Sequence, residues 1–359
     1  MKVLSQQSQL SGTQSTIDNA TVVRLYNETA GDKECHLHDS EGNQYGTITI
    51  PPQKVEYIQK KPDEYLTGSI GLKCSKIAYS HVMQYASWVE GGGGAPASWN
   101  NIDTATYSQV NSWNITDSVA GIYLKPDGSK IFYTNKGDDN IYTIRQVDLL
   151  IPWDLTSGTG ISYMTCDSPY PRAMDIHFKP DGTVLYYADW DTDHVVQLSL
   201  STPWDVTTSS QTSVLDIAAT TAEEKLRGLY ISPDGGKLFV HGFDEDKIFR
   251  FDLGISWDIA SITGSYHSQS ASIGDVPLGL FFKSDGTKVF STDNTGDVVK
   301  QWNLSTPWDI TSVTSSSDSS LNVSTQTDTP TGLYISDDGK YIFLGDSDSD
   351  RIIRYLLNP

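Results

Sequence analysis

Basic residues are scarce in this chain: 25 Lys and Arg stand against 45 Asp and Glu, a formal charge of −20. A nucleic-acid partner needs a basic face to meet phosphates, so the composition argues against one. Cysteine is scarcer still. Cys35, Cys74 and Cys166 are the only three, too few for a disulfide framework, and only a Cys35–Cys74 pairing is left open. No apolar run approaches the roughly 18–20 residues that span a bilayer, so no membrane partner is expected. Met1-Lys2-Val3-Leu4 gives way at once to Ser and Gln, too short an apolar core for a signal peptide. A Gly-x-Ser-x-Gly elbow, a phosphate loop and a His-Glu-x-x-His helix are all missing. The expectation is a protein that is not an enzyme.

What is abundant is repetition. Residues 228–240 (GLYISPDGGKLFV) and 332–344 (GLYISDDGKYIFL) are near-copies, and related stretches start at Gly121, Ala173 and Gly279. Each carries a turn: Pro126-Asp127-Gly128, Pro180-Asp181-Gly182, Pro233-Asp234-Gly235, Ser284-Asp285-Gly286 and Asp337-Asp338-Gly339. Pro presets φ, Asp bonds its own backbone and Gly accepts positive φ, so these are hairpin turns. Period-2 alternation on both sides marks strands. A second strand, an acidic turn, a third strand and a Trp-Asp step follow, at Trp153, Trp204, Trp257 and Trp308. A Ser/Thr-rich fourth strand completes the unit. Four strands at this fixed period make one blade of a β-propeller.

The last copy has only three strands before the chain ends. Trp99-Asn100 and the segment 102–110 match the Trp-Asp step and fourth strand of the others. The expected fold is therefore all-β, with a five-bladed propeller closed by pairing this early strand with the C-terminal blade, which removes exposed edges. Ahead of it, residues 1–19 read as a polar arm and 20–81 as a small β-sandwich or barrel with its own turn clusters. Residues 82–97, with Gly91 to Gly94 and Pro96, read as a flexible linker, and 98–359 as the propeller.

Residues that recur in every blade are expected to build it, so the Trp-Asp steps read as packing wedges with Asp capping the turn. Two other groups are candidate sites. The acidic turns include Asp189, Asp191 and Asp193, and Asp346, Asp348 and Asp350. Alternate carboxylates in a tight loop suit Ca²⁺, which accepts 6–8 oxygens flexibly, although Asp equally favours such turns by bonding local backbone. No EF-hand glycine or distal Glu follows. The variable loops contribute Trp113, Tyr170, Trp190 and Phe243. Aromatic rings beside carboxylates suit a glycan, stacking on the apolar sugar face while the acids bind hydroxyls. Their alternative is to fold inward onto neighbouring blades. A glycoside hydrolase or lyase would need two carboxylates across a scissile bond, and no pair stands out.

Segments 20–26 (ATVVRLY), 45–51 (YGTITIP), 55–63 (VEYIQKKPD) and 73–79 (KCSKIAY) together resemble a small all-β structural protein of tailed bacteriophages, chiefly marine and cyanobacterial ones. The Leu-Ser-Thr-Pro-Trp-Asp blocks at 200–207 and 304–311 resemble a repeat of large phage virion proteins. The resemblance implies a virion component in multiple symmetric copies, bound to other virion proteins of capsid, neck or tail. Its N-terminal domain would anchor, and its propeller would be displayed outward as decoration, fibre or adhesion module. Host-surface polysaccharide is the candidate external partner, with no cofactor required beyond the Ca²⁺ considered above.

Overall fold

The computed structural model divides into two units, Met1–Pro96 and Ala97–Pro359. It describes residues 2–3, 8–10, 22–27, 29–38, 44–52, 55–59, 65–68, 72–78, 99, 101–116, 118–136, 142–166, 168–221, 223–245, 247–268, 276–313 and 316–357. The expected linker at 82–97 and the acidic turn at 137–140 lie outside these residues.

In the first unit, Val22–Asn27 pairs on one side with Val55–Gln59 and on the other with Leu72–Ala78. Lys2–Val3 and Ser8–Leu10 also pair with Leu72–Ala78. The stretch read as a polar arm thus contributes two short strands, because a sheet edge offers backbone groups that any sequence can satisfy. A second sheet sets Lys33–His38 between Gln44–Ile50 and Tyr65–Gly68. The buried Asn27 links the two, its Nδ2 donating to the Ile50 carbonyl at 2.9 Å. Cys35, like Cys166 in the second unit, is a buried thiol.

The second unit is all-β and five-bladed. Each blade is a four-stranded antiparallel sheet in simple meander order, and its only helical elements among the described residues are three-residue 3₁₀ turns. The first four blades take their strands in sequence: 119–165, 173–216, 228–268 and 277–322. The fifth joins Pro330–Ile335, Tyr341–Asp346 and Arg351–Leu356 to Thr106–Val110 as its outer strand. The ring closes as the spacing of Trp99 predicts.

The wedge reading of the Trp-Asp step is carried by geometry. In the first four blades the Asp side chain accepts the backbone N–H two residues on and caps a 3₁₀ turn: Asp154 from Thr156, Asp205 from Thr207, Asp258 from Ala260 and Asp309 from Thr311. The Trp before it sits at φ 64–68°, a left-handed conformation costing roughly 1–2 kcal/mol for a side-chain-bearing residue. The cost is offset by what the turn places beneath the ring. The Trp204 N–H donates to the Gly182 carbonyl at 3.0 Å, and a Cβ on Gly182 would lie 2.3 Å from the indole. Gly128, Gly235, Gly286 and Gly339 stand in the same relation to Trp153, Trp257, Trp308 and Trp99. Only glycine fits both the positive φ and the indole above it. The indole then reaches the preceding blade, as Trp204 does at 6.1 Å from Phe132 and Trp308 at 6.0 Å from Phe239.

The axis is closed by a second device. Tyr123, His177, Tyr230, Phe281 and Tyr334, one from each innermost strand, meet in a complete ring. Successive centroids are 5.4, 4.8, 5.6, 5.5 and 5.3 Å apart. Their interplanar angles of 63–78° give edge-to-face contacts, the arrangement that aromatic quadrupoles favour. All five side chains are buried. Four also lie near the wedge Trp of the next blade, Tyr123 with Trp204 and Tyr334 with Trp153 for example. His177 is the exception among the described contacts. Burial pushes its imidazole down to about 3.

Two outcomes test this packing. Trp204→Ala should cost about 3–5 kcal/mol in urea unfolding, the range for emptying a large aromatic site. A loss under about 1 kcal/mol would remove the wedge role. The lowered pKa of His177 lies below its unfolded value of 6.5, so its contribution is present above pH 6.5 and lost as pH falls toward 3. His177→Phe should flatten the acid side of the stability profile. An unchanged profile would place the acid sensitivity elsewhere.

Candidate functional site

The residues that break the repeat gather where the second and third blades meet. In the second, fourth and fifth blades the second strand ends on a carboxylate that organises the next turn, where the first blade has Asn135. Asp189, fully buried, accepts the Thr192 N–H at 2.9 Å and the Arg172 N–H at 2.6 Å. Asp293 accepts from Thr295 at 3.2 Å and Asp346 from Ser349 at 3.2 Å. The third blade has Gly242 there instead. Glu223, arriving on the connection between the blades, supplies the missing carboxylate. Its Oε1 accepts the N–H groups of Asp244 at 2.9 Å and Glu245 at 3.5 Å. Gly242 makes room, since a Cβ there would lie 2.6 Å from that oxygen. Glu223 is fully buried and its Oε2 has no hydrogen-bond partner. Burial, with the neighbouring charges of Asp244 and Glu245 adding, pushes its pKa up to about 7.

The same connection delivers two cations to the loop aromatics. The Lys225 N–H donates to Asp193, and the Phe243 N–H donates to the Glu224 carbonyl at 3.2 Å. The connection is thereby tied to a turn on each blade. Cations and rings then alternate. Arg172 lies over Tyr142 at 5.6 Å and over Trp190 at 4.8 Å. Arg227 lies over Trp190 at 4.6 Å and Phe243 at 4.7 Å, and Lys225 over Phe243 at 5.5 Å. Such contacts are worth about 0.5–2 kcal/mol each, more where water is excluded.

The four aromatics singled out from sequence therefore separate. Trp190 and Phe243 come together, with centroids 6.4 Å apart. Trp190 is half-buried and its ring is overlain by two guanidinium groups, so it works as an internal pillar. Phe243 is 39% exposed and keeps surface for a ligand. Tyr170 packs against His194 at 5.0 Å, its carbonyl accepting the Tyr187 hydroxyl. Trp113 packs on the core beside Gly158, whose Cβ would lie 2.2 Å from the ring.

The carboxylates of the acidic turns also go to different partners. Asp191 pairs with Arg172 at 3.4 Å and Asp193 turns to the Lys225 N–H. Asp346 pairs with Arg351 at 2.9 Å, while Asp348 offers its N–H to Thr329. Asp193 and Asp350 adopt positive φ of 59° and 50°, which short polar side chains tolerate. Among the described residues no group of three or more His, Cys, Asp or Glu could hold a metal ion.

Sequence reading passed over Asp175, Arg172, Glu223 and Arg227. A column-by-column alignment of the repeats exposes the first. Asp175 stands where the other blades have Gly121, Gly228, Gly279 and Gly332. It is buried, accepts the Leu229 N–H of the next blade at 2.9 Å, and is held well above the usual carboxylate range by burial.

Comparison with known proteins returns distant structural likenesses alone. No family model matches the chain, and no curated protein matches it. Among solved structures it is similar to a protein of Bacteroides uniformis provisionally described as a 6-phosphogluconolactonase, at 12% identity and TM-score 0.42, over 92% of this chain and 80% of that one. It is also similar to a functionally unknown protein from Desulfotomaculum acetoxidans, at 15% identity and TM-score 0.38, over 67% and 68%. A chain of a nidogen/laminin complex matches at 14% identity and TM-score 0.42, over 68% and 78%.

The raised pKa of Glu223 fixes a pH test. Its folded value of about 7 exceeds the unfolded 4.5, so the native state holds an extra proton between them and loses stability as pH rises through that window. Glu223→Gln keeps the accepting oxygen and cannot ionise. It should match the parent protein near pH 4.5 and exceed it at pH 8 by up to about 3 kcal/mol, the equivalent of the shift. Parallel stability curves across that window would show that Glu223 is not the titrating group.

Proposed function

We propose that this chain is a non-enzymatic component of a tailed-bacteriophage virion. Its N-terminal β-domain, a small sandwich or barrel, attaches to the particle, and its propeller is displayed outward as a decoration or adhesion module. The observation that carries the non-catalytic reading is the aromatic ring across the axis. It fills the place where a propeller would house an axial pocket, and the rim around Phe243 shares no residue with it. The virion assignment rests on the resemblance of the N-terminal segments and the Trp-Asp repeats. The two linked sheets of the first unit fit a compact anchor.

A second reading, a glycan-binding adhesin, is favoured by the rim built around Phe243. An exposed ring flanked by Lys225, Glu224 and Asp244 can stack on the apolar face of a sugar while its neighbours bind hydroxyls. Host-surface polysaccharide would be the partner and other virion proteins the attachment.

Antibody against the full chain should decorate intact virions in electron micrographs, and unlabelled particles would sink the assignment. Labelled full chain should bind host cells saturably on the adhesin reading. Phe243→Ala should weaken that binding about tenfold or more, the equivalent of losing about 1.4 kcal/mol. EDTA sensitivity of that binding would show a divalent-cation requirement. Decorated particles without cell binding would leave the decoration role.

A further inference from the structure

The ring closes at a seam, and the seam carries a cleft. Tyr107 and Val110 come from the closing strand, Arg351 and Ile353 from the strand it pairs with, and Thr325 and Gln326 from the connection entering the fifth blade. The space is about 210 Å³. At about 30 Å³ per water it holds roughly seven waters, the scale of one sugar ring with its hydroxyls. It shares no residue with the rim around Phe243.

Its polar wall is fixed before any ligand arrives. Arg351 is held twice, its Nε donating to the buried Asp346 at 2.9 Å and its Nη2 to the Gln326 carbonyl. The Gln326 side-chain oxygen accepts the Thr325 hydroxyl at 2.6 Å and the Tyr355 hydroxyl at 3.0 Å. Both of its acceptor positions are therefore used. Among the described residues no partner takes the Gln326 amide NH₂ or Arg351 Nη1, which leaves both as donors, and immobilised donors bind with little further ordering cost. Tyr107 is the one aromatic residue in the lining. It is 48% exposed, and its ring stands edge-on to Tyr355 at 6.2 Å. A half-exposed ring beside fixed donors is the pairing that a sugar's two kinds of face require.

Charge narrows the ligand further. The buried carboxylate of Asp346 already balances Arg351, and the chain carries −20 overall. An anionic ligand would gain no uncompensated cation and would be repelled at long range. We propose that this cleft is a binding subsite for a single uncharged sugar residue, stacked on Tyr107 and hydrogen-bonded by Gln326 and Arg351. The sugar touches strands from both ends of the propeller, so its binding also stabilises ring closure by mass action.

The test uses the purified full chain and a panel of free neutral methyl glycosides (gluco, galacto, manno and N-acetylglucosamine). Saturation-transfer NMR should show at least one of them receiving magnetisation through its ring C–H protons, and the same sugar should raise the melting temperature. Tyr107→Ala should weaken binding about tenfold or more, while Tyr107→Phe, which keeps the ring, should retain it. Tyr163→Ala, which removes an exposed ring outside both the cleft and the rim, should leave this signal intact. Absence of transfer from every glycoside, or equal transfer in Tyr107→Ala, overturns the subsite. Loss in Phe243→Ala with retention in Tyr107→Ala also overturns it, and assigns the sugar to the rim. The virion assignment is untouched by any of these results, because the assay contains neither particles nor cells.

Discussion

The contact between each wedge Trp and the glycine of its own blade's first hairpin turn fixes where one blade ends and the next begins. Two residues accept left-handed backbone to make it: the glycine, for which that is easy, and the Trp, for which it is not. The indole is therefore held in one orientation, over the turn and nearly parallel to the preceding blade's inner tyrosine, as Trp204 lies 23° from Tyr123. Inter-blade packing follows from that orientation. The Asp next to the Trp caps the short turn that aims the outer strand, so one dipeptide sets both the spacing of blades and the closing of each. The charged acidic turns lie elsewhere in the repeat and vary without disturbing this.

Departures from symmetry are grouped and mutually dependent. In the first and fourth blades, Thr134 and Thr292 accept the N–H of Gly121 and Gly279. The second blade has Ala188 at that position and the third has His241. His241 fills the space above Gly228, where a Cβ would lie 2.2 Å from its ring. Asp175 then supplies the acceptor for the next blade's backbone. Gly242 follows His241, and Glu223 replaces the carboxylate that Gly242 lacks. A change at one of these positions leaves a buried polar group unmatched at another, which costs about 1–3 kcal/mol. The asymmetry at these two blades is thus a co-adapted set, and it is what draws Arg172, Arg227 and Lys225 onto one rim.

Much of the propeller was legible because its signals are local. The Asp-Gly turns, the Trp-Asp steps and the phase of Trp99 sit within a few residues of the structure they specify, and five copies average out the noise. The candidate site was less legible because its contacts are not local. Trp190 and Phe243 were recognised as loop aromatics, yet nothing near them in sequence announces that Arg172 and Arg227 lie over the Trp190 ring. Trp113 and Tyr170 have the same composition signature as Phe243 and end up packed on the core. Glu223 shows the limit most clearly, since its role is defined by the absence of a carboxylate at Gly242. The seam cleft is assembled from segments more than 200 residues apart.

That separation has a consequence for how the protein is made. Ser108 donates to the Arg354 carbonyl across 246 residues, so the last blade is complete only once its third strand, Arg351–Leu356, has been made. At about 5–20 residues per second, the strand Thr106–Val110 waits roughly 10–50 s on the ribosome for its partner. Closing a loop of that length costs about 5 kcal/mol of chain entropy beyond a constant term. Throughout the wait, an unpaired strand carrying Tyr107 is presented to whatever nascent chains lie nearby on the same message. A neighbour's Arg351–Leu356 edge fits it as well as its own, so exchange of this strand between chains is the misassembly that the closure mechanism builds in.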